Sequence, residues 1–135
     1  MLVVDASVLA TALADDGADG ETARGRLLGQ DLAAPELIDL EVASVLRRQL
    51  SAKKLDARRA LLALDDLLDL PIRRARHRPL LRRCWELRAN LSVYDAAYVA
   101  LAEALEAPLV TADARLASAA GVKCAIEVLN GRARS

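Results

Sequence analysis

The sequence predicts an α/β protein in which helices pack on a short, mainly parallel sheet. Short apolar runs of strand length alternate along the chain with longer segments whose apolar residues keep helical spacing. The chain is 54% hydrophobic but has no Phe, one Trp and two Tyr. Its core must therefore be Leu, Val, Ile and Ala, a composition typical of helices on parallel strands. We expect β–α units with right-handed crossovers.

In the first half, the run Leu2-Val3-Val4 predicts a buried strand, and Pro35 closes a second short strand. Asp56 is a good N-cap for a helix. The predicted strands are 1–4 and 32–34. The predicted helices are 7–14, 21–28, 37–54 and 57–68, with a loop over 15–20.

In the second half, Pro71 ends the preceding helix, Pro79 opens another and Ser92 caps a third. The predicted strands are 72–76, 109–111 and 122–128. The predicted helices are 79–90, 93–105 and 112–119. A chain of 135 residues has the length of one domain. We assign residues 1–130 to that domain and residues 131–135 to a frayed tail.

Charge and cysteine content exclude some classes of protein. Nineteen basic and nineteen acidic residues give a formal net charge of zero, so the whole molecule has no strong field to attract nucleic acid. Cys84 and Cys124 are far apart and form no CxxC pair, which favours two buried free thiols over a disulfide or a zinc site. Residues 1–14 contain Asp5 and predict neither a signal peptide nor a membrane span. We expect a cytoplasmic protein with no membrane partner.

Four carboxylates lie in apolar stretches of the sequence. Asp5 and Asp113 each follow a strand-like run, while Glu41 and Asp95 lie among apolar residues of predicted helices. A carboxylate in such surroundings is costly unless it is paired or bound to a cation. We therefore predict one shared cation site. Ligands that are all oxygen suit Mg²⁺, or Mn²⁺ in its place, rather than zinc.

The topology favours convergence of these four residues. Ligand sites of parallel sheets lie beyond the carboxyl ends of the strands, where Asp5 and Asp113 are placed. Glu41 and Asp95 must reach the same edge from helices. The alternatives are that Asp5 and Asp113 are N-caps and that Glu41 is solvated on a helix edge. Asp95 is the hardest to explain in this way, because its helical neighbours are apolar.

The residue types also indicate the chemistry. A divalent cation held by carboxylates can activate water and neutralise charge on a phosphate, so no protein nucleophile is needed. We expect His77, inside the arginine-rich run 73–78, to be a surface residue. The hydroxyls of Ser7 and Thr111 are candidates for holding a ligating carboxylate or a cation-bound water. Ser7 is equally compatible with a role as a helix cap.

Four segments resemble the motifs of PIN-domain nucleases, in particular the VapC-type toxins of bacterial toxin–antitoxin pairs. They occur in the same order as in that family and span nearly the whole chain. The segments are Val-Val-Asp-Ala-Ser-Val-Leu at 3–9, Leu-Glu-Val-Ala-Ser-Val-Leu at 40–46, Ser-Val-Tyr-Asp-Ala-Ala-Tyr-Val-Ala-Leu-Ala at 92–102 and Leu-Val-Thr-Ala-Asp-Ala-Arg-Leu at 109–116.

The resemblance implies a three-layer α/β/α sandwich and a Mg²⁺-dependent endoribonuclease that acts as the toxin of a type II pair. It implies that Asp5, Glu41, Asp95 and Asp113 are the acidic cluster. It also implies an RNA substrate, a small cognate antitoxin and a homodimer. Some relatives carry a further acid just after the last motif; here Ala-Arg-Leu follows Asp113. Whether one or two metal ions bind is left open.

Other functions fit the motifs less well. A receiver domain needs an acidic pair after its first strand, and a haloacid-dehalogenase-type phosphatase needs Asp-x-Asp there; Asp5-Ala6-Ser7 provides neither. A PIN-type nuclease that is not a toxin, and a catalytically silent PIN-like binding module, remain as alternatives.

Residues 73–88 hold seven arginines against one acid, Glu86. This segment is either an RNA-facing patch or a solvated face, and the sequence does not decide between them. Trp85 within it is interpreted as a core residue or a dimer anchor rather than a base platform. The candidate RNA-binding residues are Arg73, Arg74, Arg76, Arg82 and Arg83.

Overall fold

The computed structural model describes residues 1–129, and over that range the strands form one five-stranded sheet. The strand order is β3-β2-β1-β4-β5 and every neighbouring pair is parallel. The strands are β1 (Leu2–Val4), β2 (Leu32–Pro35), β3 (Arg73–Ala75), β4 (Leu109–Thr111) and β5 (Ile126–Val128). The predicted C-terminal tail lies outside the described residues.

Helices cover the sheet. They are α1 (Ala6–Ala14), α2 (Ala18–Leu27), α3 (Ile38–Ser51), α4 (Ala57–Asp69), α5 (Leu81–Glu86), α6 (Val93–Leu105) and α7 (Ala114–Ser118). Helix α1 packs against α2, α3 and α4, whereas α6 packs against α5 and on strands β1, β2 and β4. The predicted α/β/α sandwich with a parallel sheet is confirmed.

The strand order places a crevice beside β1. The chain runs outward from β1 through β2 to β3, then returns to the other side of β1 for β4 and β5. Such a reversal opens a gap beyond the carboxyl ends of the two strands that flank it, and ligands bind there in open α/β sheets. Val4 pairs with Val110, so Asp5 and Thr111 follow at the same level of the sheet.

Side-chain caps begin four of the helices. The predicted caps Asp56 and Ser92 are confirmed, since their side chains accept the backbone N–H groups of Arg59 and Asp95. Asp5 and Asp113 likewise cap α1 and α7. The alternative that Ser7 caps the first helix is wrong, because Asp5 occupies that position. A cap of this kind contributes about 1 kcal/mol.

Several predicted boundaries are wrong for local reasons. Helix α3 stops at Ser51 because Lys53 adopts a positive φ of 61°, which ends the helical path. The helix predicted over 79–90 is a 3₁₀ turn, Arg78–Leu80, followed by α5, which ends at Glu86. Strand β5 is limited to Ile126–Val128, where its partner β4 offers three residues for pairing.

The core is aliphatic, as predicted. Its large, fully buried side chains include Leu9, Ile38, Leu67 and Leu109. Trp85 is 63% exposed, so its interpretation as a core residue is wrong. Cys84 is buried and Cys124 is half-buried, and both are free thiols. Among residues 1–129, no helix is both long enough and apolar enough to cross a membrane.

Candidate active site

The four predicted carboxylates line a single pocket of about 260 Å³. Asp5 and Asp113 reach it from the ends of β1 and β4, Glu41 from the first turn of α3 and Asp95 from the first turn of α6. The pocket thus lies at the crevice that the strand order creates. Its remaining lining residues are Ala6, Ser7, Ser44, Val45, Arg48, Tyr98 and Leu116.

Asp5 is held at the floor of this pocket by three donors. Its Oδ1 accepts hydrogen bonds from the Ser7 hydroxyl at 2.7 Å and from the Val8 backbone at 3.1 Å. Its Oδ2 accepts one from the fully buried Thr111 hydroxyl. Burial raises the pKa of the Asp5 carboxyl, the three hydrogen bonds oppose this rise, and the charge of Asp95 adds to it. The hydroxyls of Ser7 and Thr111 thus both hold the Asp5 carboxylate, and their roles beside a bound cation stay predictions.

Glu41 joins the two helical layers. Its Oε1 accepts a hydrogen bond of 2.6 Å from the hydroxyl of Tyr98, a buried residue of α6. Partial burial raises the pKa of Glu41, the Tyr98 hydrogen bond lowers it, and the charges of Asp95 and Asp5 raise it further. Burial raises the pKa of the Tyr98 hydroxyl, and its contact with Glu41 raises it further, so the hydroxyl stays protonated and keeps donating. Glu41 is therefore not a solvated residue on a helix edge.

Asp113 has a cationic neighbour. The Arg115 guanidinium donates to both of its carboxylate oxygens, with a shortest distance of 2.6 Å from Nη2 to Oδ2. This contact holds the pKa of Asp113 below its ordinary value. Asp113 is also tied to the floor of the pocket, because its backbone N–H donates to Thr111 Oγ1 at 3.0 Å.

The donor chemistry of the pocket suits a hard cation, because all four acidic side chains offer oxygen. In the arrangement of residues 1–129, however, no three His, Cys, Asp or Glu side chains are grouped closely enough to hold a metal. Glu41 is turned toward Tyr98 and Asp113 toward Arg115. The metal site accordingly stays a prediction.

The candidate RNA-binding arginines do not line the pocket. Arg74 donates to Asp39 at 2.8 Å, and Arg83 donates to Glu103 at 2.7 Å. These two guanidinium groups bind elements of the fold together. Arg73, Arg76 and Arg82 are exposed. Contact of the five candidate arginines with RNA stays a prediction.

His77 lies at the surface, as predicted, but it has a structural contact. Its Nε2 accepts the backbone N–H of Leu37 at 3.0 Å, which satisfies a donor at the start of α3. Because α3 carries Glu41, this contact helps to fix the position of the helix start from which Glu41 reaches the pocket.

Sequence reasoning missed three residues of the site: Tyr98, Arg48 and Arg115. Tyr98 and Arg48 had a usable signal. Tyr98 follows Asp95 by three positions, and Arg48 follows Glu41 by seven, so each shares a helical face with a predicted carboxylate. The pairing of Arg115 with Asp113 depends on a side-chain conformation at the first turn of a short helix, which no sequence spacing specifies.

Comparisons with known proteins agree with this architecture. The family model described as "PIN domain" matches residues 2–122. Ribonuclease VapC9 of Mycobacterium tuberculosis is 45% identical over 129 residues, which cover 96% of this chain and 98% of the relative.

Two solved structures share the fold. FitAcB from Neisseria gonorrhoeae has a TM-score of 0.69 at 15% identity, covering 97% of this chain and 98% of its own. VapC20 of Mycobacterium tuberculosis, described as a sarcin-ricin loop cleaving toxin, has a TM-score of 0.64 at 19% identity, covering 81% of this chain and 87% of its own. By the family match and by its identity to VapC9, the chain belongs to the PIN-domain family and, within it, to the VapC type.

Proposed function

We propose that this chain is a Mg²⁺-dependent endoribonuclease that acts as the toxin of a type II toxin–antitoxin pair. One structural observation carries the proposal: four carboxylates from four separate elements line the same pocket at the reversal point of the sheet. The ribonuclease name of the similar VapC9 supports RNA as the substrate. A PIN-type nuclease that is not a toxin remains the second candidate.

Asp5, Glu41, Asp95 and Asp113 would hold the cation. When bound, Mg²⁺ supplies Lewis acidity, which makes water a better nucleophile and offsets negative charge on the phosphate; Mn²⁺ would act similarly. Ser7 and Thr111 fix the orientation of Asp5 through its two oxygens. Such outer hydrogen bonds set the direction in which a ligating carboxylate points.

Glu41 keeps one oxygen available for the cation. Tyr98 occupies its Oε1, while its Oε2 accepts no hydrogen bond within residues 1–129. Oε2 is therefore the atom of Glu41 that would bind the cation. Since we propose that water and not the ribose 2′-OH attacks, the products would carry a 5′-phosphate and a 3′-hydroxyl.

An antitoxin would need a docking surface. An apolar cavity of about 640 Å³ opens between α1, α2 and α4 and could provide that surface. Its apolar lining includes Leu9, Leu13, Leu27 and Leu70, and Arg59 and Asp16 form an ion pair at its rim. An apolar helix of the antitoxin fits a groove of this character. A basic residue beyond that helix could then lie against the carboxylates.

A homodimer would cover Trp85. This side chain is 63% exposed, has the Arg88 guanidinium 4.4 Å from its ring centroid, and lies near the exposed Leu81. Exposed aromatic residues of this kind are common anchors of interfaces. Replacing Trp85 by Glu should convert a dimer to a monomer in light scattering.

Sequencing of RNA 5′ ends after brief expression in cells tests the nuclease. Wild type should create new 5′-phosphate ends at discrete sites, and Asp95→Asn should not. Identical end profiles would contradict the proposal.

Co-expression with the neighbouring small open reading frame tests the toxin assignment, because a cognate antitoxin should co-purify and suppress cleavage. Cleavage that no neighbour suppresses would favour the non-toxin nuclease.

A further inference from the structure

The carboxylate pocket poses an electrostatic problem for the proposed substrate. RNA is a polyanion, and four acidic side chains line the pocket that it must enter. The net charge of the chain is zero, so no overall field draws RNA toward this site. The bound cation can offset charge at the scissile phosphate, but the neighbouring phosphates need a basic group of their own.

Arg48 is the basic residue that lines this pocket within the described chain. It lies on α3 seven positions after Glu41, which places both residues on one helical face, roughly 10 Å apart along the axis. Long helical side chains lean toward the helix N-terminus, and here that direction leads toward Glu41. The 3.2 Å hydrogen bond from Arg48 Nη1 to Ser44 Oγ, one turn back, shows this orientation.

The Arg48 guanidinium is not paired with a carboxylate of residues 1–129. Among residues 1–129 it forms no ion pair, and its one side-chain hydrogen bond goes to a neutral hydroxyl. Its side chain is exposed. Five arginines of the fold are paired with carboxylates: Arg26, Arg59, Arg74, Arg83 and Arg115. Arg47 and Arg82 are also unpaired within residues 1–129, but they do not line the pocket, so it is the position of Arg48 that distinguishes it. A guanidinium that is exposed, unpaired and directed to the mouth of a pocket can make two parallel hydrogen bonds to a phosphate.

We infer that Arg48 binds an RNA backbone phosphate at the mouth of the carboxylate pocket, next to the phosphate that is cleaved. This inference rests on the proposed function, since it assumes that RNA enters this pocket. It assigns Arg48 to substrate binding, with no part in the chemical step. Arg47 provides a matched control, because it is exposed and adjacent on the same helix but does not line the pocket.

The test is the affinity for a short fluorescein-labelled single-stranded RNA of mixed sequence, measured by fluorescence anisotropy with Mg²⁺ present. All variants carry Asp95→Asn so that the RNA survives the titration. Arg48→Ala should weaken binding about tenfold and lower the salt dependence by roughly 0.7, the value for one lost phosphate contact on a single strand. Arg48→Lys should keep most of the salt dependence. Arg47→Ala should change affinity less than about twofold.

Three results would overturn the inference. They are equal losses for Arg48→Ala and Arg47→Ala, no loss for Arg48→Ala, and no binding of RNA by the parent protein. A melting temperature equal to that of the parent shows that Arg48→Ala is folded. Failure of the proposed function is distinct, because cleavage is measured separately in protein that keeps Asp95. If RNA binds through Arg48 but the protein with Asp95 cleaves none, this inference is retained and the nuclease assignment is lost. If the protein with Asp95 cleaves RNA and Arg48→Ala leaves binding unaltered, the nuclease assignment is retained and this inference is lost.

Discussion

The buried hydroxyl of Thr111, at the end of β4, donates a hydrogen bond to Oδ2 of Asp5, which follows the neighbouring strand β1. Apart from tyrosine and cysteine, Asp5 and Thr111 are the residues with buried polar side chains within residues 1–129. Each provides a hydrogen-bonding partner for the other. The same Thr111 oxygen accepts the backbone N–H of Asp113 at 3.0 Å. One hydroxyl therefore links two of the four carboxylate positions.

Thr111→Val should destabilise the protein by about 1–3 kcal/mol. The replacement keeps the shape of the side chain but leaves the buried Oδ2 of Asp5 and the partly buried N–H of Asp113 without this partner. The measurement is urea denaturation monitored by circular dichroism. Thr22→Val is the control, since the Thr22 hydroxyl bonds only to a carbonyl of its own helix, and it should change stability by less than about 0.5 kcal/mol. Equal stability of Thr111→Val and wild type would show that the hydrogen bonds of Thr111 to Asp5 and Asp113 do not stabilise the protein.

Mg²⁺ should raise the melting temperature of the wild-type protein by roughly 5–10 °C at one hundred times its Kd. The reason is that the cation relieves repulsion among carboxylates that already raise one another's pKa, as at Asp5 and Glu41. Asp95→Asn should lose most of this rise. Asp65→Asn, on the exposed face of α4, should keep it. If Mg²⁺ raised the melting temperature of all three proteins equally, the cation would bind at a site other than the carboxylate pocket.

Tyr98→Phe should shift the pH dependence of Mg²⁺ affinity to higher pH. Burial raises the pKa of Glu41 and the Tyr98 hydrogen bond lowers it, so loss of the hydroxyl raises that pKa further. Protons compete with the cation for a ligating carboxylate, and the affinity should therefore begin to fall at a higher pH in the variant. Calorimetric titration between about pH 5 and pH 8 measures this. The exposed Tyr94 on the same helix gives the control Tyr94→Phe, which should follow wild type. Superimposable curves for all three proteins would refute the role of Tyr98.

Arg115→Ala should tighten Mg²⁺ binding about two- to fivefold. The guanidinium competes with the cation for both oxygens of Asp113, but the pair is exposed and therefore weak. Titration calorimetry of Arg115→Ala beside Arg47→Ala checks this result. Weaker binding in Arg115→Ala would mean that Arg115 supports the site and does not compete for it.

The sequence carried enough information for the layers of the fold and for the four carboxylate positions in the pocket. The spacing of apolar residues predicts where strands end and which face of a helix is buried. Asp5 and Asp113 each follow a predicted parallel strand, so the alternation of strands and helices was enough to place them at the same edge of the sheet. The end of α3 was not predicted, because it depends on the positive φ of Lys53. The spacing of apolar residues carries no information about the backbone angle of a single residue. The partners of the arginines were missed for a related reason. Arg74 and Arg83 bind carboxylates 35 and 20 positions away, and only the assembled fold brings these groups together.

The most direct test of the central claim is the chemistry of the RNA ends produced by the purified protein. Total RNA would be incubated with wild type, Asp95→Asn and the control Asp65→Asn, each with Mg²⁺ and with EDTA. Fragments whose 5′ ends ligate to an adaptor without prior phosphorylation would then be counted. We predict 5′-phosphate and 3′-hydroxyl ends from wild type and Asp65→Asn in Mg²⁺, a decrease of about a hundredfold or more for Asp95→Asn, and none in EDTA. Fragments that end in a 2′,3′-cyclic phosphate and form equally well in EDTA would contradict the account.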